Sequence, residues 1–287
     1  MRATRHCLSL VALAALTLGL GPAVDRTRAH AQSAESAASV ATVYQIKVGR
    51  FNLGSFRVSA NVQGGQYRMK GDGAFSVLEG LIFKWRGALA GAGQVTEAGP
   101  EPATYSFSYS AGKKSERLRV TFGKGYVKQV TIAPHRRQAP GTIPVRKEQL
   151  EGVLDPLSGT FLTARSANPN GDLSVCNQLL PVFDGWTRFD LVLKPKKRVL
   201  VQNKAATSYT GPAAVCRVKF IPISGYRPDD RGIQTLKQSN EIEVWLIPVR
   251  GTQMYVPYRI AMPTPAGVGT AVLTSMRVSG VRRASVD

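Results

Sequence analysis

From Tyr44 onward the chain alternates apolar and polar side chains. Tyr44, Ile46 and Val48 are separated by Gln45 and Lys47, which gives one apolar face at a period of two and predicts a β-strand. Phe56–Val62 and Tyr67–Met69 flank Gly64-Gly65, a dipeptide suited to the positive φ values of a tight hairpin. Tyr105, Phe107 and Tyr109 alternate with serines. After a turn at Gly112-Lys113-Lys114, Leu118, Val120 and Phe122 alternate with Arg117, Arg119 and Thr121, and Gly123–Gly125 leads into a strand over Val127–Ile132. The first half therefore predicts a meander, each strand adding an antiparallel neighbour.

Two stretches read as helical. Ser76–Phe83 predicts a short helical turn with Val77 and Leu81 inward, and Arg146–Ala164 predicts a helix interrupted at Asp155-Pro156. There Asp155 caps the second half and Pro156 occupies its first turn, where a missing N–H costs little. Ser166–Asp172 is turn-rich and predicts a loop. Strands then return. Leu179–Phe183 and Trp186–Leu193 flank Asp184-Gly185 as a hairpin, with Phe189, Leu191 and Leu193 on one face, and Cys216, Val218 and Phe220 share a face. Further strands fall near 241–247, 255–262 and 271–278. The fold class is mainly all-β: a single curled antiparallel sheet or barrel of roughly twelve strands with a short helical segment packed on it, since a flat sheet of that size would leave long unprotected edges.

The N-terminus changes the setting of this domain. Arg2 and Arg5 precede an apolar run from Leu8 to Leu20, and Ala29-His30-Ala31 offers a small-residue cleavage site. The apolar run is short of the roughly 20 residues a spanning helix needs, and no later segment comes near that length. Residues 1–31 are expected to be a signal peptide cut after Ala31, with an earlier cut near Ala23 as the alternative, residues 32–40 a flexible leader, and 41–287 one β-rich domain in the periplasm. Cleavage after Ala31 would leave one histidine, His135, and two cysteines, Cys176 and Cys216.

Charge follows from that setting. The chain carries 38 Lys and Arg against 18 Asp and Glu, a net charge of +20. In an exported protein such a balance points to lipid headgroups, lipopolysaccharide phosphates or cell-wall polymers rather than nucleic acid. One basic block contains Lys113, Lys114, Arg117, Arg119, Lys124 and Lys128, and another Lys194, Lys196, Lys197 and Arg198. Each is ordinarily a solvated hairpin end; on a shared rim, Lys113, Lys114, Lys194, Lys196, Lys197 and Arg198 would form an anion-contacting mouth.

Candidate chemistry is sparse. Cys176 and Cys216 are expected to pair as a structural disulfide in an oxidising compartment, because there is no Cys-x-x-Cys and no resolving thiol. His135 sits between Pro134 and Arg136 and reads as a solvated loop residue. Glu148, Glu151 and Asp155 would share a helix face, which is the minimum a carboxylate-based glycan hydrolase requires, though an ordinary polar face explains them as well. There is no phosphate loop, Ser-His-Asp set or zinc-spaced cluster, so the chain is expected to have no catalytic residue, cofactor or metal.

Several motifs together carry a resemblance. Leu180-Pro181-Val182-Phe183-Asp184-Gly185 with Arg188-Phe189-Asp190-Leu191, four residues after Cys176, is joined by Leu53-Gly54, Trp85-Arg86-Gly87, Asp155-Pro156-Leu157-Ser158, Cys216-Arg217-Val218 and Glu243-Val244-Trp245-Leu246. In this order they resemble the exported family called domain of unknown function 3108, over about Thr42–Met276. The resemblance implies a periplasmic or envelope location in Gram-negative bacteria and a β-rich fold, and brings no reaction or ligand. Two non-enzymatic readings remain: a protein holding a lipid, lipoprotein or other amphiphile in the curled sheet, and an envelope scaffold or cell-wall-associated protein with no internal ligand.

Overall fold

The computed structural model describes residues 38–77, 83–135, 138–160, 162–163, 172–202, 209–250 and 252–280. The signal-peptide reading and residues 32–37 of the leader lie outside them. Seven strands form the first meander: β1 (Ala38–Val48), β2 (Phe51–Gln63), β3 (Gln66–Val77), β4 (Phe83–Thr96), β5 (Gly99–Ala111), β6 (Lys114–Gly123) and β7 (Tyr126–Ala133). After the two-residue β8 (Leu162–Thr163), the second contains β9 (Gln178–Phe183), β10 (Arg188–Val201), β11 (Gly211–Ser224), β12 (Glu243–Pro248), β13 (Met254–Thr264) and β14 (Gly267–Ser279).

These strands make one antiparallel curled sheet in the order 7-6-5-4-3-2-1-14-13-12-11-10-9, with β8 paired to β13 off that path. The sheet does not close: β7 and β9 are its edges. The two meanders join where β1 pairs with β14, from Ser39 opposite Ser279 to Val48 opposite Gly269. One face runs continuously through the registers, from Tyr44 to Phe56, from Ala60 to Met69, and on to Gly91, Tyr105 and Val120. It holds the first core, with Tyr67, Met69, Tyr105, Leu118, Val120 and Phe122 buried.

The second half is buried on both faces of its central strands. Ala214, Cys216, Val244 and Leu246 pack into a cluster covered by Val175, Ile233 and Leu236, while Ala213 and Ile247 point the other way into a cluster that includes Tyr44 and Leu273. The Cys176–Cys216 disulfide is present, with Cα atoms 5.3 Å apart and both residues fully buried.

Three sequence expectations are corrected. No helix spans 146–164 among the described residues. That segment contains 3-10 turns at Lys147–Leu150 and Ser158–Thr160, separated by extended backbone. Its length is used to cross between the two sheet edges: Gly152 N–H donates to Gly125 O at 2.6 Å, Leu154 N–H to Pro181 O at 2.7 Å, and Phe183 N–H to Leu154 O at 2.8 Å. These bonds satisfy backbone groups that two open edges would otherwise leave unpaired. The regular helix is instead α1 (Arg231–Gln238), capped by Asp230, whose carboxylate accepts from Ile233 N–H at 2.9 Å. Finally, β1 begins at Ala38, inside the expected leader; of the helical turn expected at Ser76–Phe83, Ser76 and Val77 belong to β3 and Phe83 to β4, while 78–82 lie outside the described residues.

Candidate functional site

The inner faces of β1 and β2 line a cavity of about 140 Å³. Val40, Tyr44 and Ile46 come from β1, Phe56, Val58 and Ala60 from β2, Met69 from β3, and Ala271 from β14; Met254, Pro257 and Ile260 of β13 complete the wall. The space exists because β13 pairs with β14 only from Arg259 to Thr264, so residues 254–258 leave β14 and run beside β12. The register shift between Trp245 and Leu246 marks that divergence. One wall depends on glycine: a Cβ at Gly73 would lie 2.5 Å, and at Gly71 2.9 Å, from the Phe56 ring, so the missing side chains on β3 let that ring lie against the sheet.

Every hydroxyl on the wall is engaged elsewhere. Thr42 Oγ1 donates to Val58 O at 3.2 Å, Tyr44 Oη to Pro257 O at 2.9 Å, and Thr160 Oγ1 to Leu157 O at 2.6 Å, while Tyr255 Oη accepts from Asp172 N–H at 3.3 Å. Burial pushes the Tyr44 phenol up to about 12, so it stays a neutral donor. The cavity thus presents hydrocarbon and offers water few partners, the condition under which a void favours an apolar guest. A wider hollow of about 570 Å³ between β4 and β7 is open and mixed in character, with Arg86, Glu116 and Arg117 on its walls.

Beside the cavity lies a buried polar chain. Asp155 Oδ1 accepts from Leu157 N–H at 2.9 Å and Ser158 N–H at 3.0 Å; Ser158 Oγ donates to Asp155 Oδ2 at 2.5 Å and lies 2.6 Å from Tyr67 Oη. Asp155 and Ser158 are fully buried. Burial raises the Asp155 pKa despite these donors, and burial likewise raises the phenols of Tyr67 and Tyr105. The arrangement ties the crossing segment to β3. It closes the turn capped by Asp155 without presenting a reactive atom to solvent.

The predicted carboxylate face does not form. Glu148 and Glu151 are exposed while Asp155 is enclosed, because the backbone between them is extended rather than helical. His135 is exposed just after β7. Lys113 lies in the β5–β6 turn and Lys114 opens β6. Lys194, Lys196, Lys197 and Arg198 instead lie within β10, where a bulge around Lys196 interrupts the alternation and leaves all four exposed. Lys196 forms an ion pair with Glu243 of β12, which holds the Glu243 carboxyl below its usual range. No group of three or more His, Cys, Asp or Glu suited to a metal occurs among the described residues.

Sequence reasoning missed the cavity and the Tyr67–Ser158 contact. Alternation along β1 and β2 shows which side chains share a face, but not that β13 leaves its neighbour. The tyrosine and serine are 91 positions apart.

Comparison with known proteins gives a family and distant folds. The model of the family "Protein of unknown function (DUF3108)" matches residues 43–274. No curated protein matches. Among solved structures, the chain is similar to a beta-barrel-like protein of domain of unknown function DUF1849 from Brucella abortus, at 9% identity, over 84% of this chain and 98% of that one, with a TM-score of 0.49. A "putative lipoprotein" from Parabacteroides distasonis is similar at 10% identity over 83% of this chain and 95% of that one, with a TM-score of 0.30.

Proposed function

We propose, for a chain that belongs to the DUF3108 family, a non-enzymatic role in the cell envelope: holding the apolar end of an amphiphile in the cavity between β1, β2 and β13. The observation that carries this reading is the cavity wall, on which hydrocarbon predominates and every hydroxyl is already bonded to the protein. Size sets the guest. An apolar cavity of about 150 Å³ accommodates benzene, so a space of about 140 Å³ suits a short stretch of acyl chain and not a complete lipid. The remainder of such a molecule would lie outside.

The N-terminal sequence supports the same setting. The basic, apolar and small-residue order of residues 1–31 is that of a cleavable signal, and the buried disulfide suits an oxidising periplasm. No described helix is long and apolar enough to cross a membrane. N-terminal mass measurement on protein from the periplasm should give a chain starting at Gln32; retention of Leu8–Leu20 would overturn the signal assignment.

The cavity reading is tested with decanoate, carbon-13-labelled at its terminal methyl, as the probe in NMR titrations, and with native mass spectrometry and lipid extraction of the purified protein. Wild type should shift the probe's methyl resonance saturably at one site, and Ala271→Phe, which fills the cavity, should abolish this while keeping the melting transition. No copurified lipid together with no probe binding would overturn the proposal.

A further inference from the structure

One repeat beyond the cavity the same sheet face reaches solvent. Val48 lies opposite Phe51 of β2 and Gly269 of β14, and Gly269 lies opposite Met262 of β13, so Phe51, Val48, Gly269 and Met262 form one row across four strands. On the central strands the preceding same-face pair is Ile46 and Ala271, with Ile260 opposite Ala271 on β13, and all three line the cavity. At the two ends of the outer row Phe51 is 54% and Met262 37% accessible, with Val48 and Gly269 half-buried between them, and Val268 at the start of β14, on the alternate face, is 49% accessible. Gly49 N–H donates to Val268 O at 2.9 Å, which holds the β1–β2 and β13–β14 tips side by side. Large apolar side chains exposed singly on other strands need no explanation; three gathered on two tied hairpin tips do.

The surrounding charge has one sign. Exposed Lys47 precedes Val48 on the alternate face of β1, and Arg50 lies in the β1–β2 turn with its guanidinium 5.3 Å from the Phe51 ring centroid. Neither 47–52 nor 262–270 contains an aspartate or glutamate. An aromatic ring, a thioether and a valine would enter the acyl boundary while the two cations, on flexible stems, stay at the phosphate level.

We infer that the paired β1–β2 and β13–β14 tips dock on the surface of a bilayer bearing anionic phospholipid headgroups. Phe51, Met262 and Val268 insert there and Lys47 and Arg50 contact phosphate. Docking would bring the end of the cavity lined by Ile46 and Ala271 towards the lipid from which a chain could enter. That last step rests on the proposed cavity function, whereas docking itself rests only on the tips.

The test is sedimentation of the purified protein with phosphatidylcholine vesicles containing or lacking phosphatidylglycerol. Binding should require phosphatidylglycerol. The double variant Phe51→Ser/Met262→Ser, which changes no charge and alters only exposed side chains, should bind at least about tenfold more weakly, given the free energy of burying two large apolar groups. Phe51→Trp should add a fluorescence component that shifts to the blue with those vesicles. Absence of sedimentation would overturn the inference. So would wild-type binding by the double variant, which would assign attraction to the overall positive charge. Probe binding by the cavity is measured separately with methyl-labelled decanoate: its loss with docking retained defeats the cavity reading alone, and its retention without docking defeats this one alone.

Discussion

The two meanders hold themselves together differently. In β1–β7 one sheet face is buried and the other is wet, so stability comes from a single layer of side chains and from the crossing segment that Asp155, Ser158 and Tyr67 fasten to β3. In β9–β14 the central strands are buried on both faces, a disulfide joins β11 to the turn before β9, and α1 covers the outside of that cluster. The first half relies on register and a polar fastening, the second on enclosure and a covalent one. The cavity lies where these two regimes meet and β13 follows β12 instead of β14.

Removing the covalent fastening should have the largest effect. The Cys176–Cys216 bridge closes a loop of 40 residues, worth roughly 4 kcal/mol in the chain-entropy model. Cys216→Ala should therefore lower the melting temperature strongly. Hydrogen exchange should quicken first in β9–β12, and uniform quickening across both meanders would erase the distinction drawn here.

Next comes the polar fastening. Asp155→Ala leaves the Leu157 and Ser158 N–H groups and the Ser158 hydroxyl without their acceptor in a buried site, at a cost of about 3 kcal/mol. Asp155→Asn keeps an acceptor for the N–H groups and offers Ser158 Oγ a donor, so it should be far milder at neutral pH. The pair of variants separates hydrogen bonding from charge.

That separation extends to pH. Because burial raises the Asp155 pKa, the folded state favours the protonated carboxyl. Its contribution is full below the unfolded carboxylate pKa of about 4 and is lost as pH rises through the raised value. Wild type should thus lose stability relative to Asp155→Asn on going from acidic to neutral pH; a difference in melting temperature that stays constant over that range would contradict the assignment. The smallest effect expected is from Tyr67→Phe. It removes one hydroxyl from the end of the chain while leaving the Ser158–Asp155 bond intact, for about 1 kcal/mol.

The same contrast explains what could be read from the amino-acid sequence. Tyr44-Gln45-Ile46-Lys47-Val48 alternates because one of its faces meets a core, and the strands of the first meander were legible for that reason. Around Ala213–Cys216 every position is buried, so period-two contrast vanishes and only the cysteine and its flanking apolar residues signal a strand. The segment from Arg146 misled because Lys147-Glu148-Gln149-Leu150 are good helix formers and Asp155-Pro156 is a good helix start. Backbone bonds to Gly125, Pro181 and Phe183 outweigh that local preference. Helix α1 carried a usable signal: Asp230 as its cap, with Ile233 and Leu236 three apart and both packed on the core. The cavity had no local signal. It arises from the path of β13 relative to β14, a relation between strands that alternation within each leaves undetermined.

Pairing β1 with β14 at the centre of the sheet also sets the order in which the molecule can be assembled. Ser39 meets Asn61 of β2 on one side, but on the other its partner is Ser279, so a chain emerging from its N-terminus can build the whole first meander and still expose that side of β1 as an open edge until β14 arrives. Contacts so distant in sequence close slowly, and an unpaired edge recruits other chains meanwhile. Maturation of this protein therefore carries a window of aggregation risk that ends with its last strand, and a factor that shields the inner edge of β1 during that interval would raise the yield of folded protein without touching its final stability.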